Sequence, residues 1–558
     1  MFRNCTRLSA RARDCFYMSR RSLSQGSGGS SRSPSLFALL ATCVFSASAG
    51  YAGHYYTKSQ DFASTTSLDS LKSPTYASSK SVAEAIDKIR QIVGPDSITT
   101  SPGEIDYHSK DPSNFVRPKP DEHPNCVVYP TSVEQVSEIL KICHEYSVPV
   151  IPFSGGTSIE GHYIPTRQGV SLDLGRMNKI LRLHEEDLDV VVQPGVDWME
   201  LNEYLSPYGL MFGPDPGPGA MIGGILATNA SGTNAVKYGA AKDNVLSLTV
   251  VLADGTIVKT KNRPRKSSNG YNLTNLFIGS EGTLGVIVEA TLKLHFKPQN
   301  EVIATINFKE IGNATKTVTD LFRMGISCNA VEFMDDKQMR AVCEMGAGSS
   351  DDWAPDHMLL LKVGATSKES LKELVASINS VAKKNHGFNI GIASDEEDKE
   401  RIWTVRKTLL WNSLQWARKV KPNATILPTD VCVPVSRLPE LITRTMTKLE
   451  AADLLATAAG HAGDGNLHVL VIFDPEQKKV AHELINEMSK LAIELEGTVS
   501  GEHGIGVSDK RELLVEELGV DTIDLMRSIK YALDKKAILN PDHIFKIDPS
   551  ENRNPSDD

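Results

Sequence analysis

Hydrophobic residues recur at helical spacing in SVAEAIDKIRQIVG, where Val82, Ala85, Ile86, Ile89 and Val93 gather on one face, so a helix is expected there. CVVYP, the helical TSVEQVSEILKICHEYS and VPVIPFSGG then alternate strand, helix and strand. Between Gly169 and His295 the pattern shortens to strands, VSLDL, DVVVQPG, LSLTVVLADGTIV and GVIVEATLKL, separated by glycine-rich turns. After Pro298 longer strands alternate with amphipathic helices, as in ATINF, TKTVTDLFRMG, HMLLLKVGA and KESLKELVASINSVAKKN, which marks a domain boundary. The last forty residues, containing LDKKAILNPDHIF, read as a helix and a Pro-marked turn. This mixture gives an α+β fold class.

At 558 residues the chain exceeds one hydrophobic core, and a prior of roughly 150 residues per domain allows two to four units. It can therefore bury a large cofactor between domains. Its 60 basic and 69 acidic residues leave a formal charge of -9, the wrong sign for a nucleic-acid binder. The eight cysteines form no C-x-x-C pair, so free buried thiols are expected rather than a disulfide framework or a thiolate zinc site.

The amino-terminal region has a different composition. Arg3, Arg7, Arg11, Arg13, Arg20, Arg21 and Arg32 face only Asp14 among abundant serines, which is the composition of a mitochondrial import sequence over residues 1–35. Residues 36–53, LFALLATCVFSASAGYAG, are uncharged and sit at the short end of the roughly 17 to 25 residues that span a bilayer. They are read as a candidate transmembrane helix, with cleavage together with the leader as the alternative. Anchoring would leave the body of the protein facing the intermembrane space. Residues 54–79, rich in Ser and Thr, read as a linker.

Three glycine-containing runs carry candidate chemistry in the first half. In Pro152-Phe153-Ser154-Gly155-Gly156-Thr157-Ser158 two glycines expose adjacent N–H groups and the hydroxyls add donors, so a pyrophosphate can be cradled without a lysine. It is neither G-x-G-x-x-G nor a Walker loop. From Gly213 to Gly239 the small residues of GPDPGPGAMIGGILATNASGTNAVKYG suit close backbone approach to a large planar ligand. In the third, Asn269–Leu273 and then Gly279–Ile287, glycines bracket a turn feeding a β-branched strand. In this order the three runs resemble the FAD-binding domain of the vanillyl-alcohol oxidase/p-cresol methylhydroxylase family.

Later in the chain, GHAGDGNLH (Gly460–His468) is followed by GEHGIG (Gly501–Gly506). Two imidazoles and a carboxylate suit a divalent ion such as zinc or manganese with positions left open for substrate, and the glycines let distant imidazoles converge. With TDVCVPVSRLPE (Thr429–Glu440) and the terminal LDKKAILNP, these runs are similar to the mitochondrial cytochrome-linked D-lactate dehydrogenase group, sister to the D-2-hydroxyglutarate dehydrogenases, over about residues 100–548.

The resemblance implies an FAD-binding domain of two subdomains at 80–297, an antiparallel-sheet substrate (cap) domain with a metal site at 298–520, and a segment returning to the FAD domain at 521–558. It implies that His461, His468 and Glu502 hold the metal, that His503 is the catalytic base and that Arg406 grips the substrate carboxylate. FAD contacts are expected from Pro152, Ser154, Gly155, Gly156, Thr157 and Ser158; from Pro216, Gly217, Gly223, Gly224, Thr228, Asn229, Ser231 and Gly232; from Glu281, Gly282, Gly285, Val286 and Ile287; and from Asn540.

The chain departs from the sister group's pattern at Leu410, where that group has threonine, and at Pro428, where it has lysine. Loss of those polar partners for a distal carboxylate favours D-lactate over D-2-hydroxyglutarate. No G-x-G-x-x-G sits at a strand–helix junction, so NAD is not expected; the location and the resemblance make cytochrome c the expected acceptor. Glycolate or D-2-hydroxyglutarate oxidation, a flavin-free metal-dependent hydrolase and a membrane-tethered flavin scaffold without turnover are the rival readings. His162 is read as a solvent-facing loop histidine rather than a covalent attachment point for FAD.

Overall fold

The computed structural model describes residues 66–110, 115–346 and 353–550. The expected import sequence and the candidate transmembrane helix lie outside the described residues. Among the described residues no helix is long and apolar enough to cross a membrane. The described part of the expected linker, 66–79, reaches the first residue of the helix Ser79–Val93 and is tied to the carboxy-terminal segment, with the Tyr76 hydroxyl donating to the Ala537 carbonyl at 3.0 Å and Ser73 to Asp548 at 2.7 Å.

Three sheets carry the site. The first orders its strands Ile98–Thr99, Cys126–Val128, Val170–Asp173 and Val150–Phe153; the last three are parallel and the first is antiparallel to its neighbour. The helix Val133–Tyr146 starts where the Ser132 side chain accepts the Gln135 N–H and stops at Ser147, which takes a left-handed conformation. It lays Val136, Ile139, Leu140 and Cys143 into the core under that sheet, together with Ala85 and Ile89 of the helix Ser79–Val93. The second sheet is antiparallel, in the order Ile180–His184, Asp189–Val192, Val286–Lys293, Val245–Val251 and Ile257–Lys259.

The third sheet is antiparallel and larger, with the path Phe388–Ala393, Asn300–Phe308, His357–Ala365, Ala330–Met334, Leu455–His461, Asn466–Phe473, Thr425–Pro428. Its side chains alternate between faces. Val331 and Phe333 enter the core that buries one face of the helices Ile311–Arg323, Lys368–Lys384, Leu438–Ala451 and Lys478–Glu494. Ala330, Glu332 and Met334 point the other way, where Ile402, Trp403 and Val405 of the helix Glu396–Lys407 cover part of the sheet. After the helix Val520–Leu533 the chain returns to the first sheet, and Leu539 bridges in parallel to Val150.

Candidate functional site

A cleft of ≈ 530 Å³ lies where loops from the first two sheets meet the open face of the third. One wall comes from residues 152–159, 215–233 and 280–287. It is largely backbone. A Cβ on Gly155 would stand 2.5 Å from the Gly219 carbonyl oxygen, so only glycine permits these two loops to touch. At Gly217 a Cβ would meet nothing within 4 Å, and Gly217 borders the cleft, so its missing side chain leaves room for a ligand. The opposite wall carries Trp403, Arg406, Lys407, Leu410, His461, His468, Glu502 and His503.

That second wall is built by strand register. Glu332 and His461 are directly opposed partners on neighbouring strands, and Ala459 opposes His468 across the next pair. The Glu332 carboxylate receives the His461 ring at Nδ1, 2.8 and 3.0 Å away, and takes both Nε and one terminal nitrogen of Arg406 at 2.6 Å. Glu332 is fully buried; burial raises its pKa, but Arg406 and His461 prevail and hold the carboxyl below its usual range. Burial likewise works against charge on His461, yet Glu332 and Glu502 keep it well above 6.5.

His461 Nε2 and His468 Nε2 both face one oxygen of Glu502, at 3.3 and 3.1 Å. His468 Nδ1 donates to the Thr429 carbonyl at 3.0 Å, which leaves the Nε2 lone pair for a metal. Ligands about 2.0–2.2 Å from a tetrahedral zinc stand about 3.3–3.6 Å apart. The His461–Glu502 spacing meets the lower end of that range and the His468–Glu502 spacing falls just short of it, so the donor set fits one divalent ion after a small adjustment. Asp430, His468 and His503 form a second such group. It suits an ion less well, because Asp430 already accepts from Asn466, from Ser500 and from the N–H groups of Glu502 and His503. Those bonds hold the loop that presents His503.

The His503 ring stacks on His468 with centroids 5.2 Å apart, and its buried Nδ1 has no hydrogen-bond partner among the described residues, Glu160 being 3.8 Å and Asp430 4.0 Å away. Burial depresses its pKa below the usual 6.5 in spite of the Asp430 carboxylate. Lys510 lies behind, 2.8 Å from Glu160.

Of the sequence-expected cofactor contacts, Pro152, Ser154, Gly155, Gly156, Thr157, Ser158, Pro216, Gly217, Gly223, Gly224, Thr228, Gly232, Glu281, Gly282, Gly285, Val286 and Ile287 border the cleft. Asn229, Ser231 and Asn540 do not. The Asn229 side chain caps Lys242 N–H at 3.0 Å, Ser231 donates to Glu502 at 2.9 Å, and Asn540 sits behind the cleft, donating to the carbonyls of Glu281 and His162 at 2.7 and 3.1 Å. His162 is a correction: it is no solvent-facing residue but only 7% exposed, bordering the cleft beside Glu281. Sequence reasoning also passed over Glu332, Glu160 and Lys510. The available signal was a single acid inside the apolar strand AVEFM, a placement that demands a buried partner. The five described cysteines are free, three of them buried.

Comparison with known proteins agrees with this architecture. Residues 124–261 match the FAD binding domain family and residues 297–544 the C-terminal domain of FAD linked oxidases. The chain is 46% identical to the mitochondrial D-lactate dehydrogenase [cytochrome] of Kluyveromyces lactis, over 87% of this chain and 85% of that one. It is 44% identical to the mitochondrial D-lactate dehydrogenase [cytochrome] 1 of Saccharomyces cerevisiae, over 88% and 85%. A crystal structure of p-cresol methylhydroxylase with substrate bound superposes with a TM-score of 0.67 at 18% identity, over 87% of this chain and all of that one, and shows the shared fold. A cleft with a glycine backbone on one side and a histidine–carboxylate cluster on the other, in a chain so close to these relatives, belongs to the FAD-linked oxidases, in the branch that holds the mitochondrial cytochrome-type D-lactate dehydrogenases.

Proposed function

We infer that the chain oxidises D-lactate to pyruvate, with FAD as the first electron acceptor and a cytochrome, cytochrome c by our reading, as the next. The observation that carries this reading is the single cleft bordered by both the glycine loops and the cluster of Arg406, His461, His468, Glu502 and His503. FAD, held along the glycine wall, supplies the hydride acceptor. A zinc or manganese ion held by His461, His468 and Glu502 would supply Lewis-acid polarisation of the substrate hydroxyl.

The chain's own residues do the rest. Arg406 is fixed by Glu332 through Nε and one terminal nitrogen, which leaves its other terminal nitrogen to bind the substrate carboxylate. His503 takes the hydroxyl proton as the C2–H bond gives up its hydride, and a buried, unprotonated imidazole is ready for that role. Leu410 borders the cleft, and Pro428 ends the strand Thr425–Pro428. With these apolar residues in place of the threonine and lysine of the sister group, the site offers a distal carboxylate less than it offers a methyl group.

Residues 80–297 serve as the FAD domain, 298–520 as the substrate domain, and 521–558 as the returning segment. The relatives named mitochondrial support import through residues 1–35. We further propose that residues 36–53 anchor the protein in the inner membrane, facing the intermembrane space. Anaerobic mixing with D-lactate, L-lactate, glycolate and D-2-hydroxyglutarate tests the substrate assignment: D-lactate should bleach the bound flavin fastest. Faster bleaching by glycolate or D-2-hydroxyglutarate overturns it.

A further inference from the structure

Among the buried ionisable groups that border the cofactor cleft, His162 has no role in the chemistry above. His162 borders the cleft, is 7% exposed, and neither of its ring nitrogens makes a hydrogen bond among the described residues. Leaving two polar ring atoms dry and unsatisfied is costly unless something else satisfies them. Nε2 is accounted for electrostatically, lying 3.3 Å from the Glu281 carboxylate. Nδ1 is not.

The surrounding chain is arranged to keep this pair in place. Glu281 adopts a left-handed backbone conformation at φ 50 and is fixed by two N–H donors, Ile505 and Gly506, each at 2.8 Å. Asn540 clamps the carbonyls of both His162 and Glu281. Gly504 must be glycine for the pair to fit, since a Cβ there would lie 2.6 Å from the Glu281 oxygen and 2.7 Å from His162 Nε2. Gly504 directly follows His503, so His162 stands at the reacting end of the cleft. Three separate segments therefore converge to hold one imidazole against one carboxylate.

We propose that His162 is a flavin-binding residue that donates a hydrogen bond from Nδ1 to an acceptor atom of the isoalloxazine ring, with the Glu281 carboxylate set against its Nε2. Hydride addition leaves extra electron density on that ring, so a fixed cation beside it stabilises the reduced cofactor more than the oxidised one. Burial pushes His162 toward its neutral form, but Glu281, with a smaller contribution from Glu160, outweighs burial and the opposing Lys510, and holds its pKa above the usual 6.5. The inference rests on FAD occupying this cleft. Wild-type protein purified colourless would fail that reading, whereas the inference itself is read from variants compared with a yellow wild type.

The test is an anaerobic redox titration of the flavin in the full-length holoenzyme, together with FAD retention on gel filtration, for His162→Leu and His162→Gln. His162→Leu should lose FAD at least tenfold more readily. It should also shift the reduced/oxidised equilibrium at least tenfold toward the oxidised form, about 30 mV for a two-electron couple. His162→Gln keeps a donor without the charge, so it should retain FAD yet show the shift in potential. It also serves as the informative variant should His162→Leu fail to fold. Wild-type potential in His162→Gln, or wild-type potential and retention in His162→Leu, overturns the inference. A flavin that stays with acid-precipitated wild type but not with acid-precipitated His162→Gln also overturns it, because the nitrogen would then be bonded covalently rather than donating.

Discussion

The two walls of the cleft are made of different material. The first is backbone: glycine loops at 152–158, 215–232 and 280–287 approach one another to distances that any side chain would prevent. The second is charge: Glu332, Arg406, His461, His468, Glu502, His503 and Asp430 hold one another through hydrogen bonds and ion pairs, each partner preventing another from being buried alone. A wall of backbone holds a large ligand by shape and N–H groups and tolerates little added volume. A wall of charges acts on small reacting groups and tolerates no missing partner.

On this division, the largest single effect lies on the charged wall and leaves the backbone wall untouched. His503→Ala should lower kcat by about 10²–10⁴-fold, the range for loss of a general base, with flavin content unchanged. Steady-state rates alongside the visible spectrum check both halves. A kcat within a few fold of wild type removes His503 as the base, and loss of flavin would show that the walls are not separable.

Glu332→Ala comes next. It removes the fully buried carboxylate that pairs both Arg406 and His461, and breaking a buried pair in this way costs about 3–5 kcal/mol. Urea unfolding should show that loss, and any folded fraction should have a raised KM because the Arg406 fork is no longer held. Unchanged stability would mean that the cluster does not depend on Glu332 for its charge balance.

The same contrast explains what could be read in the sequence. Backbone loops advertise themselves locally, since glycines crowd into short runs, and seventeen of the twenty expected cofactor contacts border the cleft. Of the other three, Asn229 caps its own loop, Ser231 bonds across to Glu502, and Asn540, from the carboxy-terminal segment, clamps the carbonyls behind the cleft. The charged wall was legible only where its residues are neighbours in sequence, at GHAGDGNLH and GEHGIG. Glu332 joins them from 129 residues away through strand register, and Glu160 and Lys510 join through a salt bridge between distant segments. Register is set by the whole sheet, so no short pattern announces it. His162 was misread for a related reason: its loop placement suggested exposure, but Gly504 and Glu281 come from elsewhere to cover it.

On the backbone wall the matching experiment is Gly155→Ala. The new methyl would press on the Gly219 carbonyl at 2.5 Å, and overpacking of this kind costs about 1–3 kcal/mol. Affinity for FAD should fall by roughly 5- to 150-fold on that scale, while metal content and D-lactate KM in FAD-saturated enzyme stay near wild type. Equal loss of metal would show that the glycine wall also supports the histidine cluster.

The smallest expected effect comes from a hydrogen bond that crosses between the walls. Ser231 belongs to the long glycine run, yet its hydroxyl donates to Glu502 at 2.9 Å, on the carboxylate oxygen that does not face the histidines. Such a bond orients a ligand without being one, and its loss typically weakens metal binding by about 10-fold or somewhat more. Ser231→Ala should therefore lose activity at a lower chelator concentration than wild type, regain it with added zinc or manganese, and keep its flavin throughout. If chelator sensitivity is unchanged, Glu502 is positioned from its own side of the cleft alone. If flavin is lost as well, Ser231 serves the backbone wall after all.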